Sequence, residues 1–460
     1  VFWFDAVLKT PPANEMRPQP GGELTTAGHR RAYYACLLLA VLVRCAFVAF
    51  SDARSLYSRW STVTDAALYD KLGWNLVTEG TYGVGSRPSA FSLPAYPLVL
   101  ATVYRVVGHL PGAVRWVQVL LGLGTVVLLG RLARSLGGRR SEMLAVALAA
   151  AYPYFIYFTG EILTETLFIF ALSGALLSAA RLGSQGRVRD GALHGMFASL
   201  LVMTRPMGLF LEMGALFLAR PWAREGRRRR LIGLLVAAIF VAVPWSGWIV
   251  RNHRAFGETL LLDTHGGYAL YMGQLLARDL DEKEVYARLG YSRLSIEKGI
   301  LPGGARGEVL ADRRCGREAL AMIRADPAAF VTAFRRNVTN LWFGLNMVQV
   351  AAKGGGLLPL TLVGWLSYSP ILLLGLAGLL RLGWQHRWVA LAAVLTSFLL
   401  SSMLHGLVLG GMRYRVATLD PFLLVLASWE ATTLITWFRS RRGSSRRLVV
   451  PGVDGSPESG

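Results

Sequence analysis

Ten stretches of the chain carry almost no charge and approach the length of a membrane span. They are Ala32 to Phe50, Ala113 to Leu132, Met143 to Phe158, Ile162 to Ala180, Gly191 to Thr204, Met207 to Leu218, Leu231 to Val250, Leu357 to Leu380, Val389 to Leu404 and Val416 to Phe438. A hydrocarbon core of about 30 Å takes about 20 residues of helix, and backbone polar groups in lipid must be satisfied within the segment, so each run is a candidate transmembrane helix. An eleventh run, Pro94 to Val107, is shorter, holds Pro94 and Pro97 and carries Arg105. The pattern predicts an all-α polytopic membrane protein of about 10–11 transmembrane helices.

The basic residues between the runs orient the bundle, because Lys and Arg accumulate in short cytoplasmic loops. If Pro94 to Val107 is interfacial or half-inserted, one side receives Arg131, Arg134, Arg139 and Arg140, then Arg181, Arg187 and Arg189. The same side takes Arg220, Arg224 and Arg227 to Arg230, then Arg381 and Arg387, and finally the tail from Arg439. If that run crossed, every later cluster would fall outside. The expected topology therefore keeps both termini in the cytoplasm. It divides the chain into a cytoplasmic segment 1–31, an N-terminal transmembrane module 32–250 bearing a first exported loop 51–112, a long exported loop 251–356, C-terminal transmembrane helices 357–438 and a basic, disordered tail 439–460. The long loop is expected to pack on the bundle with helices at Asp281 to Ala287, Arg317 to Ala325 and Pro327 to Asn340. Met16 is a candidate initiator, and the first run is expected to stay in place because no small-residue cleavage pattern follows it.

Composition agrees with a membrane protein. Of 460 residues 53% are hydrophobic and 17% charged, and 49 Lys and Arg against 28 Asp and Glu give a net charge of +21. In a soluble chain that charge would raise nucleic-acid binding; here it sits in short runs between apolar segments, so no nucleic-acid partner is expected. Cys36, Cys45 and Cys315 provide neither a disulfide framework nor a zinc spacing. There is no Walker A loop, no GxGxxG in a βαβ setting and no GxSxG.

Candidate chemistry lies at the exported ends of the helices, where charge is costly unless solvated or paired. Asp65, in TDAALYDKLGWNLVTEG, opens an amphipathic stretch suited to the membrane surface. It is either a helix cap or a functional acid. Glu161 and Glu165, in FTGEILTETLF, are four apart and expected on one helical face, with Glu165 about one turn deeper. Arg205, Arg251, Arg254, Arg413 and Arg415 border the apolar layer on the same side. Any one of them is accounted for by snorkelling to lipid headgroups. Several converging with three acids point instead to an exported site for acid–base chemistry and anion binding. His265 and His253 are weaker candidates, since no metal-binding spacing surrounds them, and His194 and His405 read as polar packing groups.

From about Ala32 to Phe438 the chain resembles the membrane-embedded GT-C glycosyltransferases, specifically the family 39 group that includes protein O-mannosyltransferases and the bacterial aminoarabinose transferase acting on lipid A. The resemblance rests on the order and spacing of TDAALYDKLGWNLVTEG, PAYPLVLATVYRVVG, LARSLGGRR, AAAYPYFIYFTGEILTETLF, LLVMTRP, PWSGWIVRNHRAFGE, DTHGGYALYMGQ and GGMRYRVATLDPF. It implies a GT-C type bundle with exported interfacial helices, in which 32–250 is the catalytic module. It also implies inverting transfer of a monosaccharide from a polyprenyl-phosphate donor to an exported hydroxyl on a lipid, glycan or protein. Asp65 would then be the general base and Arg205 the donor-phosphate contact, assisted by Arg413 or Arg415. Glu161 or Glu165 would be the second acid, with Glu165 preferred. Tyr69, Arg251, His265, Gly266 and Gly267 would line the substrate site. The chain departs from many relatives in having His265, not Asn, before the Gly pair. No cofactor is certain, a divalent metal stays open, and the implied location is the cytoplasmic membrane with the active site on the exported face. The alternative from another class is a transporter or flippase of lipid-linked sugar intermediates; the chain shows none of the internal symmetry common in transporters.

Overall fold

A computed structural model describes residues 26–51, 65–276, 304–344 and 357–445. The expected helix at Asp281 to Ala287, the segment 1–25 and the tail from 446 lie outside the described residues. The chain begins with helix α1 (Thr26–Phe50), followed by α2 (Asp65–Thr78), a hairpin of β1 (Gly83–Val84) and β2 (Arg87–Pro88), and α3 (Ala95–Val107). The long element α4 (Pro111–Ala151) leads to α5 (Pro153–Gly160), α6 (Glu165–Gln185), α7 (Val188–Val202), α8 (Met207–Ala219) and α9 (Arg227–Phe256). Next come α10 (Gly266–Leu276), α11 (Gly304–Ala325), α12 (Pro327–Phe343), α13 (Leu357–Trp384), α14 (Trp388–Leu407), α15 (Met412–Thr418) and α16 (Asp420–Ser445).

Each of the ten apolar runs falls on helix, and seven helices among the described residues are long and apolar enough to cross a membrane. Three details differ from the sequence reading. The second run and the first part of the third form one 41-residue element, bent where Gly137 leaves helical geometry and Gly138 adopts φ 72°, a conformation that only glycine takes at little cost. Two runs become α7 and α8, with 15 and 13 residues, short of the length of an independent span. The final helix continues through Arg439 and Arg441 to Ser445, so the tail begins helical. Cations suit a helix C-terminus, and Arg441 lies 4.2 Å from the centre of the Trp437 ring.

Pro153 explains a buried arginine. Having no N–H, it cannot bond the carbonyl of Ala149 four residues earlier, and the helix breaks there. Arg44, fully buried in α1, supplies the missing donors: Nη2 donates to Ala149 O and Nη1 to Ala150 O, both at 3.0 Å. The buried charge thus satisfies backbone at a helix break.

A large apolar core joins the long helices, and a second cluster joins the two long connecting segments to the helix ends. Leu68 and Leu72 of α2, Tyr96 and Leu100 of α3, Trp248 of α9 and Tyr268 of α10 meet in this second cluster. Helices α2 and α3 approach so closely that a Cβ on Gly73 would lie 2.7 Å from that of Leu100. The α2 segment therefore buries its apolar face on protein, which fixes the position of its first residue, Asp65.

Candidate active site

Four charged side chains from four separate pieces of chain meet at one point. Asp65 opens α2, Glu165 opens α6, Arg205 stands in the turn between α7 and α8, and Arg413 lies in α15. Glu165 has no exposed side-chain surface; its Oε1 accepts from Arg205 Nη2 at 2.5 Å and from Arg413 Nε. Arg205 Nε donates to Thr164 Oγ1 at 2.6 Å, and Arg413 Nη1 donates to Asp65 Oδ2 at 2.5 Å. Glu165 also occupies the first turn of its helix, where partial positive charge favours a carboxylate. A buried carboxylate held by two guanidiniums orients both arginines. Asp65 is the acid left facing open space.

That space is a cavity of about 420 Å³. Asp65, Tyr69, Arg205 and Arg413 line its polar end, while Leu68, Phe91, Met207, Phe210 and Leu407 are among the groups forming its apolar wall. Burial, together with the adjacent Asp65, pushes the Tyr69 phenol up to about 12, so it remains a neutral hydrogen-bond donor. Against its own burial, Arg413 is held charged by Glu165 and Asp65, well above its ordinary range. Arg205 also lies over the rings of Phe168 and Tyr414, at 5.8 and 6.0 Å.

Of the residues singled out from the sequence, Asp65, Tyr69, Arg205, Arg413, His265 and Gly266 line this cavity, and Glu165 stands behind it. Glu161, Arg251, Gly267 and Arg415 do not line it. The expected pairing of Glu161 and Glu165 on one face fails because helix α6 starts only at Glu165; Glu161 lies in the extended link before it and hydrogen-bonds Tyr157. Arg415 is two residues from Arg413 on a short helix, and so points to the far side. There it is fully buried, with Nε 3.2 Å from Asp420 Oδ1, Nη1 donating to Gly344 O at 2.6 Å and the Tyr368 ring 3.5 Å away. Arg251 donates to the carbonyls of Ser89 and Tyr82, fastening the loop between α2 and α3. Gly267 is where α10 meets α11: a Cβ there would lie 2.1 Å from Asp312 O.

The sequence reading missed Asp263 and Tyr414, which also line the cavity, as does His405, which had read as a polar packing group. Asp263 was legible only as the first residue of DTHGG; burial pushes its carboxyl up to about 7. The link that carries it is pinned by Trp245 and Trp248, whose indole nitrogens donate to Leu261 O and Leu262 O. Glu308 of α11 was also missed. It is buried and accepts from Ser89 Oγ and Ala90 N, both at 2.8 Å, and from Thr264 Oγ1. One carboxylate therefore ties α11 to the loop between α2 and α3 and to the link before α10, beside Phe91 and Asp263. In Glu308→Ala, three donors lose their acceptor at roughly 1–3 kcal/mol each. The expected result is faster proteolysis between residues 81 and 93, measured on the folded protein; cleavage unchanged from wild type would contradict the latch. Among the described residues no group of three or more His, Cys, Asp or Glu could hold a metal ion.

The arrangement of helices matches that of the oligosaccharyltransferase of Archaeoglobus fulgidus. Its apo form superposes on 93% of this chain and 53% of its own, with a TM-score of 0.53 at 12% identity. The form tethered to an acceptor peptide containing the NVT sequon superposes on 91% and 51%, with a TM-score of 0.52 at 14% identity. ArnT from Cupriavidus metallidurans, bound to undecaprenyl phosphate, aligns over 89% of this chain and 78% of its own, with a TM-score of 0.38 at 15% identity. The chain is thus a polytopic membrane protein with the GT-C fold. Within it, residues 86–248 match the family described as dolichyl-phosphate-mannose-protein mannosyltransferase. No curated protein matches the chain by sequence. The chain spans about half the length of the solved oligosaccharyltransferase it matches.

Proposed function

We propose that the chain is a membrane glycosyltransferase that moves a monosaccharide from a polyprenyl-phosphate carrier to an acceptor hydroxyl on a lipid, glycan or protein. The observation that carries this reading is a single cavity with Asp65 and two anchored arginines at its polar end and an apolar wall beside them. Phosphate suits the planar, permanently charged guanidinium groups, and the apolar wall suits the prenyl chain. The family pattern over residues 86–248 supports the same substrate class, since its description names a dolichyl-phosphate sugar donor.

The chemistry is a single displacement with inversion. Asp65 takes the acceptor proton as the acceptor oxygen bonds to the anomeric carbon, and the sugar–phosphate bond breaks on the opposite face. The carrier leaves as a phosphate anion, whose charge Arg205 and Arg413 stabilise. In the absence of donor, Arg413 neutralises Asp65. A donor phosphate competes for that guanidinium, leaving Asp65 a freer base once the donor is in place. Glu165 holds both arginines in position and, as a positioning residue, touches neither substrate. The site faces the exported side of the cytoplasmic membrane in this reading, opposite the arginine-rich connections.

Arg205→Ala tests the phosphate assignment. Loss of a charge-assisted contact worth about 1.5–3 kcal/mol should raise the donor KM by about 10- to 150-fold. The acceptor KM should stay within about twofold of wild type. Titrating each substrate separately in a reconstituted transfer assay reads both, and an effect confined to the acceptor would overturn the role.

A further inference from the structure

The opposite end of the bundle holds a second cleft, of about 800 Å³, where the first turns of α1 meet the bend in α4. It is separate from the Asp65 cavity. The C-terminal end of α1, at Ser51, receives Arg115 on the cavity side of the bundle, whereas His29 lies 22 residues earlier, about 33 Å along the helix. His29 Nε2 lies 3.2 Å from Arg139 O, tying the start of α1 to the bend.

Among the described residues the cleft collects four arginines around one carboxylate. Arg30 comes from α1, Arg131 and Arg134 from the turn before the bend, and Arg139 from the bend itself. Glu142 is the one carboxylate among the described residues of the lining, and it is buried. It pairs with Arg134 at 2.9 Å and Arg131 at 3.4 Å, yet both arginines keep nearly half of their side-chain surface exposed. Among the described residues no carboxylate pairs with Arg30 or Arg139. Glu142 thus splays two guanidiniums outward beside two more, an arrangement suited to bidentate binding of phosphate oxygens.

The adjoining surface indicates the source of that phosphate. Tyr34 lines the cleft, and Leu38 and Leu42 follow it at four-residue spacing, which places all three on one face of α1. They are 64%, 58% and 55% exposed, an apolar stripe that leads from the cleft along a membrane-crossing helix. A soluble phosphate would use the cleft and leave the stripe idle. A phospholipid would use both, with its headgroup among the arginines and its acyl chains along the stripe. We propose that this cleft is a binding site for an anionic phospholipid, distinct from the site of transfer and independent of it.

The test uses the full chain in phosphatidylcholine nanodiscs titrated with phosphatidylglycerol, reading Tm, with retained lipid counted by native mass spectrometry. Phosphatidylglycerol is expected to raise Tm by several degrees in wild type. Arg30→Gln/Arg139→Gln, which disturbs no ion pair among the described residues, should weaken the response at least tenfold in lipid concentration. Arg30→Lys/Arg139→Lys keeps the charge but loses the planar fork, and should fall between the two. A charge-matched control, Arg439→Gln/Arg441→Gln, should behave as wild type. Equal phosphatidylglycerol responses in wild type and both Arg30/Arg139 variants would overturn the proposal. So would an equal rise in Tm from inorganic phosphate or glycerol phosphate, since the ligand would then be soluble.

Discussion

Asp65→Asn is expected to lower the turnover number by about 10²- to 10⁴-fold, the range a positioned general base contributes. The substitution preserves shape, and its amide oxygen can still accept the hydrogen bond from Arg413 Nη1 that Asp65 Oδ2 now receives. Yield, thermal stability and donor binding should therefore stay near wild type. Asp65→Glu should recover only part of the rate, because the longer side chain shifts the carboxylate within a cavity whose walls are packed. The measurement is single-turnover transfer from a polyprenyl-phosphate sugar by reconstituted protein. Normal turnover by a well-folded Asp65→Asn protein would remove Asp65 from the base role. If Arg413 limits the base in the absence of donor, donor binding should raise the reactivity of Asp65 toward a carboxyl-directed reagent.

Arg415→Ala should act on stability, in contrast to its neighbour Arg413. Its removal leaves the fully buried Asp420 with the Tyr152 hydroxyl, 2.6 Å from Oδ2, but without its counter-charge. Breaking a buried pair from one side costs about 3–5 kcal/mol. The folded fraction recovered from membranes should drop, and Asp420→Asn added to Arg415→Ala should restore much of it, since the stranded charge is then gone. Residual folded protein should show an unchanged donor KM. An Arg415→Ala protein of wild-type stability with a raised donor KM would instead put Arg415 at the donor.

These two arginines show how far linear reading reaches. Both stand in GGMRYR beside the apolar layer, and both were candidates for the phosphate. Spacing says that they face different ways, but not which one faces the cavity; that follows from α15 packing with Asp420 on one side and Glu165 on the other. Glu161 and Glu165 pose the same problem. Their four-residue spacing implies a shared face only if helix is continuous between them, and it begins at Glu165. Glu308 had no local signal at all: an acid in a polar segment is unremarkable until folding buries it against chain more than 40 or 200 residues away.

Hydrophobic periodicity and the placement of arginines were sufficient to specify a helical membrane protein, most of its long apolar helices and the end at which acids gather. Those properties are set locally, because lipid forces every spanning backbone to satisfy itself and each apolar run answers to bilayer thickness alone. The cavity was not specified in this way. Its Asp65–Arg413–Glu165–Arg205 chain is assembled from segments up to 348 residues apart, and which charges pair depends on the directions in which the helix ends meet. Burial makes those pairings matter, since a charge removed from water persists only where a partner from elsewhere in the chain has already been positioned to receive it.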